Sequence, residues 1–203
     1  MSFSERIQSS GLVNRAKNIL LRPKEEWRTI DTEQTDIATV YRSYVAPLAA
    51  IGPVASLIGG AIIGTSLPLT GVVVRVPIAT AVVGAVIQFA LALAGVYVVA
   101  KIADTLAPNY GGTSSMTQAF KVAAYSSTAQ WLAGVFAILP GLRGLSIVGI
   151  YSAYLLYLGL PVLMKVPEAK ALTYTAAVIV VSIVVFVVIA VVSGLIIGSS
   201  YLY

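Results

Sequence analysis

The residues of this chain that could do chemistry are few and far apart. Lys101 and Asp104 stand three positions apart, so a helix would set them on one face and let them pair at a water boundary. Gln88 and Gln130 sit inside apolar stretches, where an amide can hydrogen-bond to a neighbouring helix or to a solute. Tyr151, Tyr154 and Tyr157 recur every third residue. There is no cysteine and no histidine. Disulfides, thiolate nucleophiles, His-ligated metals and imidazole acid–base catalysis are therefore excluded. General acid–base work needs positioned titratable groups. The acids nearest the apolar stretches, Asp104 and Glu168, fall on separate connections beside lysines. No catalytic residue, cofactor or metal site is expected, and an enzyme is the least expected class of function.

The elements that must position these residues are apolar. Of 203 residues, 58% are hydrophobic and 10% charged, the balance of a protein dissolved in a bilayer. A helical span needs about 20 mostly apolar residues. Five stretches meet that length: Tyr44 to Ser66, Ile78 to Ala100, Gln118 to Leu139, Leu145 to Met164 and Leu172 to Ile197. The expected fold is all-α, an integral membrane helical bundle with five transmembrane helices and a short amphipathic N-terminal segment. Residues 1–43 form that segment and 44–203 the membrane domain. The first 43 residues hold no continuous apolar run, so a cleaved signal peptide is not expected.

Charge predicts orientation. With a cytoplasmic N-terminus, eleven of the thirteen Lys and Arg residues face the cytoplasm, leaving only Arg75 and Arg143 outside. That asymmetry obeys the positive-inside rule and puts the tail Ser199 to Tyr203 outside. The net charge of +5 then reflects topology. No aromatic-and-basic platform suggests a nucleic-acid partner.

In the N-terminal segment, Leu12, Val13, Ala16, Ile19 and Leu20 share one helix face, ringed by Arg15, Lys17, Arg22 and Lys24. Pro23 restarts the chain as a second short helix, which offers Trp27 as an interfacial anchor. Two arrangements stay open: a helix lying on the anionic inner leaflet, or one packed on the cytoplasmic ends of the spans. Thr35 is a plausible N-cap for the helix entering the first span.

Inside a membrane, helices meet through small residues. Gly52, Ser56, Gly60 and Gly64 make a small ridge on the first span, which Pro47 and Pro53 should bend. Thr80, Gly84, Gln88 and Ala92 make a similar line on the second. These ridges, with Gln130, are candidate helix-packing residues. The Val- and Ile-rich fifth span reads as the most lipid-exposed. Between the second and third spans Pro108, Asn109, Tyr110, Gly111 and Gly112 break the chain, and Ser115 with Gln118 matches a capping box. Lys121, one turn into the next helix, would snorkel to the surface.

Three runs then carry a resemblance: Leu21-Arg-Pro-Lys-Glu-Glu-Trp27, Ala124-Tyr125-Ser126-Ser127, and Tyr154-Leu-Leu-Tyr-Leu-Gly-Leu-Pro161 ahead of Lys165 and Lys170. Together they resemble the YIP domain family of small multispanning membrane proteins, in particular its bacterial inner-membrane branch. The resemblance implies a cytoplasmic N-terminus, five spans and an outside or lumenal C-terminus. Eukaryotic relatives assist vesicle trafficking and bind Rab-type GTPases. The Asn109-Tyr110-Gly111-Gly112 turn only loosely echoes their Asp-Leu-Tyr-Gly-Pro motif, so that role is not carried over to this chain. The function expected here is non-enzymatic: a scaffold, membrane organiser or accessory subunit, with the bilayer and other membrane proteins or a second copy as partners. A small-solute transporter or pore is the alternative. The candidate interaction residues are Trp27, Lys101, Asp104, Asn109, Tyr110, Tyr154 and Tyr157.

Overall fold

The computed structural model describes residues 3–66, 72–139 and 147–199. Arg143, the start of the expected fourth span at Leu145 and tail residues 200–203 lie outside them.

Two helices precede the spans. Helix α1 (Phe3–Leu21) is followed at once by α2 (Pro23–Thr32). Pro23 opens α2, where its missing N–H is no loss, and Glu25 and Glu26 in the first turn complement the positive helix end. Asp36 rather than Thr35 occupies the N-cap of the next helix.

The first span runs over Ile37–Ile63 and alternates helical forms. Helix α3 (Ile37–Val40) leads into a π-helical turn (Tyr41–Val45), then α4 (Ala46–Ala49), α5 (Ile51–Leu57) and a second π-helical turn (Ile58–Ile63). Pro47 and Pro53 cannot donate to the helix ladder, so the chain meets them by reaching back further: the Ala46 N–H donates to Tyr41 O, five residues earlier. Gly64, at φ 82°, ends the span. There a two-residue antiparallel pair, β1 (Thr65–Ser66) with β2 (Val73–Val74), turns the chain back.

Helix α6 (Ile78–Leu106) continues as a 3-10 turn (Ala107–Tyr110) that Gly111 ends in the left-handed region at φ 80°. Helix α7 (Met116–Ser126) follows, then α8 (Thr128–Ala133) and a 3-10 turn (Gly134–Ile138). The last helices are α9 (Tyr151–Met164) and α10 (Glu168–Ser199). The result is a helical membrane bundle.

Four helices among the described residues are long and apolar enough to cross a membrane: Ile37–Ile63, Ile78–Tyr110, Ile147–Met164 and Glu168–Val188. The expected third span is not one of them. Its helix breaks at Ser127, where three successive hydroxyls bond back to the chain: Ser126 to Ala123 O, Ser127 to Ala123 O and Thr128 to Tyr125 O. Such back-bonding bends helices. The segment is also sheathed by protein, since α7 packs mainly on α6 and α9 and buries every residue from Ala119 to Ser126. A helix enclosed by others needs less apolar surface than one facing lipid.

Packing is uneven along the bundle. At the end that carries α1 and α2, Ile19, Trp27 and Ile30 share one buried cluster with Ala100, Ala103, Phe120, Leu160 and Tyr174. At the other end α6 exposes Ile78, Val82, Val83, Val86 and Ile87, and α10 exposes Val180, Ile183 and Val187. Over its described part the fifth span is not the barest. Only 6% of the most apolar window of Ile78–Tyr110 is buried, against 22% for Glu168–Val188. Helix α10 packs on α6 and α9.

Candidate functional site: a polar layer at one end of the bundle

Three knots of polar and aromatic side chains hold α1 and α2 on the bundle. The first is Arg15 on α1, which pairs with Glu26 on α2 and with Glu33 just after it, and lies over the Tyr125 ring at 5.5 Å. Burial works against its charge, but the hydrogen bond and attraction of Glu33 outweigh that and raise its pKa further. The second is Trp27. Gly159 leaves room for it, because a Cβ there would sit 2.7 Å from the indole Cε2 and Cζ2. The ring meets Tyr125 edge-on at 6.4 Å, and Tyr125 in turn meets Tyr44 at 4.6 Å. The third is Lys121 on α7, 2% exposed, whose Nζ donates to Glu33 O at 2.5 Å and Ile30 O at 3.4 Å. It caps the carbonyl end of α2, where a cation is favoured by the helix dipole.

These contacts revise several expectations. Trp27 is wholly buried against Gly159 and Tyr125, so it is not an exposed interfacial ring. Of the two arrangements left open for the N-terminal helices, the packed one is observed, with Ile19 and Ala16 turned into the core while Val13 stays exposed. Lys121 does not snorkel to water, because α2 covers it and supplies carbonyls. Ser115 does hold the N-cap position of α7, but makes no capping bond. Gln118 reaches Asp31 O instead, at 3.4 Å.

The connection after α6 belongs to the same layer. Asp104 is 6% exposed and is not at the surface as expected. It accepts from the Ser114 hydroxyl at 2.7 Å and pairs with exposed Lys101 at 3.6 Å. Tyr110 packs on Tyr174 at 5.3 Å, whose hydroxyl donates to Ala103 O at 2.6 Å, while Asn109 stays exposed. The Thr113 N–H donates to Met164 O at 2.7 Å, and Lys165 pairs with Asp31 at 2.6 Å. The end of α9, the start of α10, the turn after α6 and α2 are thereby tied together. Tyr154 and Tyr157 lie apart from this knot, both exposed on α9, whereas Tyr151 donates to Leu20 O at 3.1 Å.

Further along the bundle the broken segment leaves a half-open cavity of about 460 Å³ between α5, α6, α8 and α10. Gln88, Gln130, Ser127, Trp131 and Phe186 line it. The backbones that frame it approach closely, for a Cβ on Gly134 would lie 2.9 Å from the Gly52 Cα. Gly59 faces the Ala137 carbonyl just as tightly. The close face of the first span is thus Gly52 and Gly59, two turns apart. Gly60 meets only the Val76 side chain, Ser56 is half-buried, and Gly64 serves the turn. Sequence reasoning missed Gly59, Gly134 and Gly159, since what makes each matter lies on another helix.

The family model for the Yip1 domain matches residues 17–189, from the middle of α1 to the outer part of α10. The chain belongs to the Yip1 domain family. This Yip1-domain protein is similar to the inner membrane protein YohC of Escherichia coli (strain K12), with 27% identity over 183 residues. That alignment covers 88% of this chain and 93% of the relative. The protein of the same name from Escherichia coli O6:H1 is similar to the same extent. No solved structure matches the chain. Among the described residues of this family member, no group of three or more acidic residues is placed to hold a metal ion.

Proposed function

We propose that this Yip1-domain membrane protein is a non-enzymatic scaffold or accessory subunit that binds other membrane proteins through its polar layer. The observation that carries this reading is where the tight packing lies. The face made by α1, α2 and the turn after α6 is held by Arg15, Trp27 and Lys121, while α6 exposes apolar side chains from Ile78 to Ile87 and α10 from Val180 to Val187. A preorganised face loses little freedom on binding. The groups it offers outward are Lys101 and Asn109. The same reading puts the chain in a bacterial cytoplasmic membrane, with α1 and α2 cytoplasmic and the C-terminus outside, as the Lys and Arg distribution favours.

The test is purification from native membranes in mild detergent at endogenous level, with mass spectrometry of companions and a native mass for the particle. A partner at fixed ratio supports the reading, and Lys101→Glu should weaken its retention. A clean monomer overturns it. One observation favours the second reading, a solute passage: two amides, Gln88 and Gln130, line the cavity and stay exposed at it. A solute flux into proteoliposomes that Gln88→Leu or Gln130→Leu abolishes would establish it.

A further inference from the structure

A second cavity, of about 500 Å³, opens on the outside of the polar layer, where α2 crosses the last two turns of α9 and the first turn of α10. Lys24, Trp27, Arg28, Tyr157, Pro161 and Glu168 supply its polar and aromatic wall. Lys24 and Arg28 are four apart on α2, so they project from one face. Both are exposed, and among the described residues neither they nor Glu168 joins an ion pair.

One further group at this wall lacks its ordinary partner. The Trp27 Nε1 is buried and has no acceptor. Buried polar groups are nearly always hydrogen-bonded. One groove therefore gathers two cations, an orphaned donor and a carboxylate.

We propose that this groove binds the headgroup of a phospholipid from the leaflet adjoining α2. Lys24 and Arg28 hold the phosphate, as paired cations do for phosphate oxygens. The Trp27 N–H donates to a headgroup oxygen. Glu168 accepts from the ammonium of an ethanolamine headgroup or the hydroxyls of a glycerol headgroup. Position selects a lipid over a soluble anion. Pro161 lies three residues from the end of α9, about one turn of helix from the bundle's polar end. Below it, Tyr157 and Tyr154 on α9 and Ile150 just before it form an exposed strip at helical spacing, and Leu172 beside Ala171 is 69% exposed. A headgroup in the groove would thus have an apolar track for its acyl chains. This inference stands apart from the protein-partner reading, since it uses residues on the lipid-facing side of α2.

The experiment is native mass spectrometry of the full chain in mild detergent, titrated separately with phosphatidylethanolamine, phosphatidylglycerol, phosphatidylcholine and inorganic phosphate. One ethanolamine or glycerol lipid should be retained per chain. It should bind about tenfold or more tightly than phosphatidylcholine, which has no headgroup donor for Glu168. The double variant Lys24→Ala, Arg28→Ala should lose that retention by a similar factor, with its thermal unfolding unchanged because both side chains are exposed. Glu168→Gln should narrow the preference over phosphatidylcholine. Equal retention by wild type and double variant overturns the proposal, as does phosphatidylcholine binding equally well. Displacement of the lipid by millimolar inorganic phosphate overturns the lipid assignment and leaves a soluble phosphate ligand.

Discussion

Gly159 and Trp27 show how much can turn on one missing side chain. The indole occupies the space a Cβ at Gly159 would need, and α2 is seated on α9 by that contact. Gly159→Ala should destabilise the folded protein in detergent by about 1–3 kcal/mol, the usual range for overpacking. Trp27→Phe in the same chain should restore part of the loss, because the smaller ring vacates the clash. Additive losses in the double variant would mean that the two sites do not touch. Lys121 offers a second case. Lys121→Met keeps the apolar stem but leaves the carbonyls of Ile30 and Glu33 without their donor, a change worth about 1–3 kcal/mol for buried acceptors. Hydrogen exchange of the α2 amides should accelerate relative to those of α9. Unchanged exchange would show that water replaces the ammonium freely.

At the scale of elements, α1 is held differently from α2. Helix α2 brings Trp27 and Ile30 wholly into the core, whereas α1 contributes Ile19 and Ala16 and relies on Arg15 to bridge to Glu26 and Glu33. Arg15→Gln should therefore release α1 before anything else. In limited proteolysis of the purified protein, cleavage around residues 10–22 should become faster while the fragment containing the spans survives. Simultaneous loss of both would make Arg15 a support for the whole bundle. Helix α7 illustrates how context replaces hydropathy. Ser126 at its end, Ser127 at the break and Thr128 opening α8 lower the apolar character of the segment, yet Thr128 pairs with the Tyr44 hydroxyl at 2.7 Å and the bend lets α8 frame the cavity.

For the whole molecule, the contrast between a polar end tied by buried side chains and the exposed apolar faces of α6 and α10 matches a chain that must be solvated by two media. Lipid covers the exposed Val, Ile and Leu of α6 and α10 without the penalty water would impose, because bilayer tails are as apolar as those side chains. The absence of cysteine makes orientation directly testable. In intact cells Arg75→Cys should react with an impermeant maleimide, and Lys17→Cys only after permeabilisation. The reverse pattern would invert the bundle and, with it, the leaflet that reaches the groove under α2.

Much of the fold was legible from residue order alone. Long apolar runs must become helices in a bilayer, since backbone groups there can be satisfied only within the segment. Pro23, Pro108 and Gly111 marked breaks because their backbone limits are local. The all-α membrane class, the two N-terminal helices and the runs that reveal the family follow from such local constraints. What only tertiary structure decided is which polar groups are buried and against what. Trp27, Asp104 and Lys121 each looked like surface residues because aromatic, acidic and basic side chains ordinarily prefer water or the interface. Each is buried because a partner distant in sequence receives it: Gly159, Ser114, and the carbonyl end of α2. Hydropathy is a property of the residue, but satisfaction of a hydrogen bond or a cavity is a property of the pair, and the pairs exist only after the helices have packed.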